Sequence, residues 1–245
     1  MAKPLKSATV GEIVAADYRA ATIMERFGID FCCGGWLPLA DACARASADQ
    51  TEVQRALDAL PKQNTVEADL ADVARWPLDR LIDHIVGTHH RYVRQVVPVI
   101  AQHLAIIREQ HGGRHRELAC IADSFDQMSA DLERHMLKEE RILFPYVNEL
   151  TRFEREGHPA NQSPFGTIVN PILMLEREHR DASHHLHVIR ELTDDYTTPA
   201  DGCATYRTCM AELDDFERDF HRHIHLENNL LFPRAVALEG KQPDD

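Results

Sequence analysis

The chain is short of cationic residues: 27 Lys and Arg stand against 40 Asp and Glu in 245 residues, a net charge of −13 with His neutral. So acidic a protein disfavours the nucleic-acid backbone and anionic lipid as partners. Long apolar runs are missing as well. None reaches the ~20 residues that span a bilayer, and the stretch around Val96–Ile107 is broken by Pro98, Gln102 and His103. The opening Met1-Ala2-Lys3-Pro4-Leu5-Lys6 lacks the apolar core of a secretory signal, so the expected compartment is the cytoplasm. The six cysteines include no CxxC, which argues against a zinc ribbon or a thioredoxin-like motif, and their spacing is not that of a secreted disulfide framework. Cys120, Cys203 and Cys209 fall in helical pattern and read as small buried hydrophobes.

What the chain does have is a block that occurs twice. His135-Met136-Leu137-Lys138-Glu139 runs on to Ile142-Leu143-Phe144-Pro145, and His223-Ile224-His225-Leu226-Glu227 runs on to Leu230-Leu231-Phe232-Pro233. At about 100° per residue, a His and a Glu four apart share one helix face, with Cβ atoms roughly 5–6 Å apart. An imidazole and a carboxylate on an otherwise apolar stripe make half of a metal site, and two copies point to a binuclear centre. Each block is preceded by a second His-bearing segment: Asp83-His84 followed by His89-His90, and Glu178-His179 followed by His184-His185. This is a duplicated helical hairpin, and two hairpins make a four-helix bundle.

The duplication selects His84 with His179, His135 with His223, and Glu139 with Glu227. Glu140 faces Asn228 in the other copy and lies about 140° round the helix from His135, so it falls outside the set. His89 and His90 point about 140° and 240° away from His84, as His184 and His185 do from His179. These four, with His221 and His225 flanking His223, are expected on solvated faces. Burying two unpaired carboxylates would cost several kcal/mol each, a cost that a cation removes.

Residues 1–62 read as a small helical domain, 63–77 as a linker and 78–240 as the bundle. Thr9-Val10-Gly11-Glu12 has the form of a capping box. Apolar residues then recur from Ile13 to Phe27, with Gly28 as a stop, and short helices are expected over Pro38–Ala46 and Glu52–Leu60. The bundle helices are expected near Leu78–Gln110, Arg116–Leu150, Pro171–Asp195 and Ala204–Leu238. Gly112-Gly113 closes the first hairpin, and Thr151–Pro171 forms the crossover. Pro98, Pro145 and Pro233 predict kinks. Phe144 and Phe232 read as core packing.

Phe31-Cys32-Cys33-Gly34-Gly35 sits at a helix-stop turn, where backbone amides can point at a thiolate and lower its pKa. The pair reads as a redox or metal-handling dithiol, a strained vicinal disulfide, or two small residues in a tight turn; the reactive reading ranks first. With Asp30-Phe31-Cys32-Cys33-Gly34-Gly35, Leu81-Ile82-Asp83-His84, His135-Met136-Leu137-Lys138-Glu139-Glu140, Glu178-His179 and His223 through Glu227-Asn228-Asn229, nearly the whole chain resembles the repair-of-iron-centres family, di-iron proteins of the ScdA/YtfE type.

The resemblance implies an all-α fold: a hemerythrin-like four-helix bundle behind a small helical domain. It implies two non-haem iron ions with an oxo or hydroxo bridge. His84, His135, His179 and His223 would be terminal ligands, with Glu139 and Glu227 as bridging ones. Two His and two bridging carboxylates per metal leave a coordination position open for a small diatomic molecule. The expected function is repair of iron–sulfur clusters damaged by nitrosative or oxidative stress, through iron donation or reduction of nitric oxide. Cys32 and Cys33 would be the catalytic thiols, iron–sulfur proteins the clients, and a homodimer the assembly. The alternative is an oxygen or nitric oxide carrier or sensor without turnover.

Overall fold

The computed structural model describes residues 8–60, 73–157, 163 and 165–241. Contacts divide the chain into two compact units.

The first unit comprises residues 1–82, 150–160 and 224–245. Its four short helices are α1 (Val10–Ala16), α2 (Ala20–Arg26), α3 (Leu39–Arg45) and α4 (Gln50–Asp58). The capping box of α1 forms as read: Thr9 N–H donates to Glu12 Oε2 at 3.0 Å, and Glu12 N–H to Thr9 Oγ1 at 3.2 Å. The apolar run from Ile13 to Phe27 is two helices, not one, because Asp17 breaks it. Its carboxylate accepts from the Arg19 backbone N–H at 3.1 Å and from the Arg19 guanidinium at 2.9 and 2.6 Å. That local turn competes with helix continuation. Gly28 ends α2 at φ +65°, where a Cβ would be strained. Asp49 caps α4 through the amides of Thr51 and Glu52. The expected linker begins in residues outside those described; its later part is a 3-10 turn, Val73–Arg75.

The long helices follow. The first is α5 (Leu78–His84), a π turn (Ile85–His90) and α6 (Arg91–His111). The second is α7 (Glu117–Lys138), a π turn (Glu139–Leu143) and α8 (Phe144–Glu156). The third, α9 (Val169–Leu192), is α-helical throughout. The fourth is α10 (Ala204–Leu226), a π turn (Glu227–Leu231) and α11 (Phe232–Glu239). The second helix thus runs past the expected stop at Leu150, and part of the crossover lies outside the described residues. Where kinks were expected, Pro145 and Pro233 each follow a π turn. A proline cannot donate to the carbonyl four residues back, and a widened turn accommodates that loss.

The second unit, residues 83–149 and 161–223, holds most of the bundle. Its core follows helical stripes. On α7, Leu118, Ile121, Ala122, Phe125, Met128, Leu132, His135 and Met136 are buried; on α9, Ile172, Leu175, His179, Ala182, Leu186 and Ile189. Phe125 and Phe216 meet edge-on at 5.6 Å, each contributing about 1.5–3 kcal/mol by burial. His135 and His179 therefore sit in line with the apolar residues that assemble the bundle. Phe144 is buried in this unit and Phe232 in the first, as expected of core residues. Of the three cysteines read as buried, Cys209 is buried, Cys203 is half-buried and Cys120 is exposed. No described helix is long and apolar enough to cross a membrane.

Candidate metal centre

Within the second unit, His90, Glu139 and His223 each offer a ligand atom within 4.8 Å of the others, and so do His135, Glu139 and His179. All five are at most 2% exposed. Glu139 belongs to both groups. Its Oε2 lies 3.4 Å from His90 Nε2 and its Oε1 3.4 Å from His135 Nε2, so one carboxylate presents an oxygen to each side. Within each group the rings converge: His90 and His223 approach Nε2 to Nε2 at 3.2 Å, and His135 and His179 at 2.9 Å.

The outer nitrogens explain the orientation of two rings. His90 Nδ1 lies 2.7 Å from Glu140 Oε1, and His135 Nδ1 lies 3.0 Å from Glu178 Oε2. Each carboxylate is placed to accept a hydrogen bond from Nδ1–H, which leaves Nε2 facing inward, as in carboxylate–histidine–metal triads. The hydrogen bond from His135 pulls Glu178 down to about 2 despite its partial burial, with Lys138 adding to the effect. For Glu140, burial pushes upward, but the bonds from His90 and Arg94 outweigh it and the carboxyl is lowered. These imidazole and carboxylate donors, with no sulfur among them, suit iron, manganese or zinc.

The structure brings together His135, Glu139, His179 and His223 of the set read from the sequence. It places His90, not His84, with them. His84 is half-buried, bonds Thr88 Oγ1 through Nδ1 at 3.3 Å, and meets His89 edge-on at 5.6 Å. The solvated face expected for His89 and His90 is absent: both are buried, His89 stacking on His223 and reaching Asp219 at 3.0 Å. The reason is the π turn over Ile85–His90. Its i→i+5 bonding takes more than 3.6 residues per turn, so the phase counted from His84 at about 100° per residue fails there. His184 is exposed and His185 half-buried. Glu140 and Glu178 were missed as orienting groups; the signal available for Glu178 was its place beside His179, on a neighbouring face.

The helix carrying His223 continues into the first unit. Glu227 opens its π turn and is fully buried. His225 is also buried, not solvated. Its ring lies 5.9 Å from both Tyr18 and Phe31, and burial pushes its pKa down to about 4. Asn229 Nδ2 donates to His225 Nδ1 at 3.1 Å and to Phe31 O at 3.1 Å. The amides at the cysteine turn do not face a thiolate, contrary to expectation. Those of Cys32 and Cys33 donate to Asp30 Oδ1 at 3.1 and 2.8 Å. The Cys32 thiol is raised well above its ordinary value by its hydrogen bond with Cys33, by burial and by the charge of Asp30.

Two family profiles match the chain: ScdA_N, described as a domain of unknown function (DUF542), over residues 6–61, and the hemerythrin HHE cation binding domain over residues 81–235. Among curated relatives, the iron-sulfur cluster repair protein YtfE of Edwardsiella ictaluri is 36% identical, over 93% of this chain and 96% of its own length. The protein of the same name from Musicola paradisiaca is 35% identical over 95% and 97%. That from Escherichia coli O81 is 30% identical over 94% and 97%. With the buried histidine and glutamate cluster in its helical bundle, the chain belongs to the YtfE family, a ScdA_N domain followed by a hemerythrin HHE cation-binding domain.

Proposed function

We propose that this protein repairs iron–sulfur clusters damaged by nitrosative or oxidative stress, using two iron ions held by His90, His135, His179 and His223 with Glu139 and Glu227 as bridges. One observation carries the reading: the two oxygens of buried Glu139 face His90 and His135, one each, at 3.4 Å. Glu227 stands to His223 as Glu139 stands to His135. It is four residues on, fully buried and the first residue of a π turn. The relatives' names support repair as the task. Bound iron would supply a releasable ion and a redox centre for small diatomic ligands. The protein's own contribution is to hold four imidazoles, to fix two of them through Glu140 and Glu178, and to keep bulk water from the donors.

Iron donation is the primary activity in this proposal and nitric oxide reduction the second. The clients are iron–sulfur proteins, the setting is the cytoplasm and the assembly a homodimer. The boundaries 1–62, 63–77 and 78–240 are kept, supported by the two profile matches. Three measurements on anaerobic, Fe(II)-loaded protein test the proposal. Metal analysis is expected to give two irons per chain. Incubation with a damaged cluster protein is expected to restore that protein's activity while iron leaves the donor. Single-turnover exposure to nitric oxide is expected to release nitrous oxide. Two bound irons with neither transfer nor nitrous oxide would leave a carrier or sensor and overturn repair.

A further inference from the structure

The cysteine turn lies wholly within the first unit and has its own donor set. Asp30 Oδ1 accepts from the Cys32 and Cys33 amides, and the Cys32 thiol donates to it at 3.4 Å. One ligand atom from each of Asp30, Cys32 and Cys33 lies within 4.8 Å of the other two. Cys32 is buried, Cys33 half-buried and Asp30 exposed, so the cluster opens on one side to solvent.

Side chains and backbone of the same unit brace the turn. Asn229 Nδ2 reaches the carbonyls of Phe31 and Cys32 at 3.1 and 3.4 Å, and Asn228 Nδ2 reaches Cys32 O at 3.4 Å. A Cβ at Gly35 would stand 2.2 Å from Asn229 Oδ1, and one at Gly11 2.5 Å away, so the asparagine fills the space those glycines leave. Gly11 N–H donates to Gly35 O at 2.8 Å. Such bracing pre-organises the donors.

Neither simpler role accounts for this arrangement. A nucleophilic thiol needs amides or cations facing it; here the amides serve Asp30 and the Cys32 proton is retained. Plain packing calls for no carboxylate against a buried thiol, and Phe31, 2% exposed, already fills the apolar role. A proton shared between sulfur and carboxylate does, however, occupy the place a cation would take.

We propose that Asp30, Cys32 and Cys33 form a second cation site, containing thiolate and selective for borderline or soft divalent ions such as Fe(II) or Zn(II). Binding breaks two S–H bonds, forms two metal–sulfur bonds and releases two protons to solvent, with no change of oxidation state. Three protein ligands leave a coordination position on the exposed side, which suits exchange; closed structural sites use four. That the cargo is iron in transit rests on the repair function proposed above; the site itself does not.

Co(II) titrated anaerobically into the full-length, thiol-reduced protein tests the site, because only sulfur ligation adds intense near-ultraviolet charge transfer to cobalt absorption. Wild type is expected to show that band, and the double variant Cys32→Ser, Cys33→Ser to lose it while Cys43, Cys120, Cys203 and Cys209 remain as internal controls. Asp30→Asn is expected to weaken the band's midpoint at least about tenfold. His135→Gln is expected to leave the band intact while lowering total cobalt. Absence of the band in wild type, or its survival in the double variant, overturns the second site and leaves the histidine centre untouched. A wild type that shows the band but takes up no cobalt beyond it would count against the main reading and leave this one standing.

Discussion

The two hairpins share a sequence pattern, yet they deliver their first histidine differently. In the second hairpin α9 stays α-helical, and His179 reaches the centre from the position the repeat indicates. In the first, a π turn over Ile85–His90 separates α5 from α6, and His90 enters in place of the sequence-equivalent His84. The later segments keep the equivalence: both His–Glu pairs lead into a π turn that begins at the glutamate. Repetition in sequence therefore identifies equivalent residues only where the helix type is also repeated. A single widened turn in one copy changes which histidine joins the buried cluster.

The comparison breaks most severely if its shared element is removed. Glu139 serves both groups, so Glu139→Ala is expected to abolish binding of both cations, read as metal per chain after reconstitution. The cation-free variant should also melt no lower than wild-type apoprotein, because the substitution removes a buried carboxylate whose desolvation costs several kcal/mol. Retention of two equivalents would show that Glu139 is not the shared ligand. Next in size is the test of the asymmetry itself. His90→Ala is expected to lose one equivalent and His84→Ala to lose none. The opposite result would mean that the helical phase, not the π turn, decides the ligand.

Orienting carboxylates come third. Glu140→Gln and Glu178→Gln keep the volume but no longer accept the Nδ1 proton with full charge, and each is expected to weaken cation binding about 10–100-fold. Competition against a chromophoric chelator measures this. Equal affinity in all three proteins would show that the rings are set by packing alone.

The legible part of this molecule was the part governed by local rules. Thr9 and Glu12 are three residues apart and cap their helix as any such pair can. His135 and Glu139 are four apart, within a run whose burial follows an α-helical stripe up to the π turn. Long periodic segments announced the bundle, and the cysteine turn with both histidine blocks announced the family. What stayed hidden depended on partners distant in sequence or on a change of helix type. Glu140 looks like a surface residue until His90, 50 positions away, is brought to it. His225 looks solvated by its spacing from His223, yet Tyr18 and Phe31 cover it. The amides of the cysteine turn were legible as donors, but not their choice of Asp30 over sulfur.

The smallest effect bears on what holds the π turn that distinguishes the first hairpin. Pro145 and Pro233 stand two residues past the other two described π turns; this one has Gly87 within it, and its next proline, Pro98, lies well inside α6. If the turn existed because glycine permits it, a side chain there would meet a neighbour or a forbidden backbone angle. Neither holds: a Cβ at Gly87 would find nothing within 4 Å, and its φ is not positive. The glycine is thus permissive, not required, and the turn is held by the burial of Ile85, His89 and His90 on the same segment. Gly87→Ala is accordingly expected to stabilise the protein by about 0.5–1 kcal/mol, through reduced freedom of the unfolded chain, with metal stoichiometry unchanged. Chemical denaturation beside metal analysis decides it. A stabilised protein that loses one cation would mean that alanine restores α-helical phase and carries His90 away, making the glycine the device that separates the two hairpins.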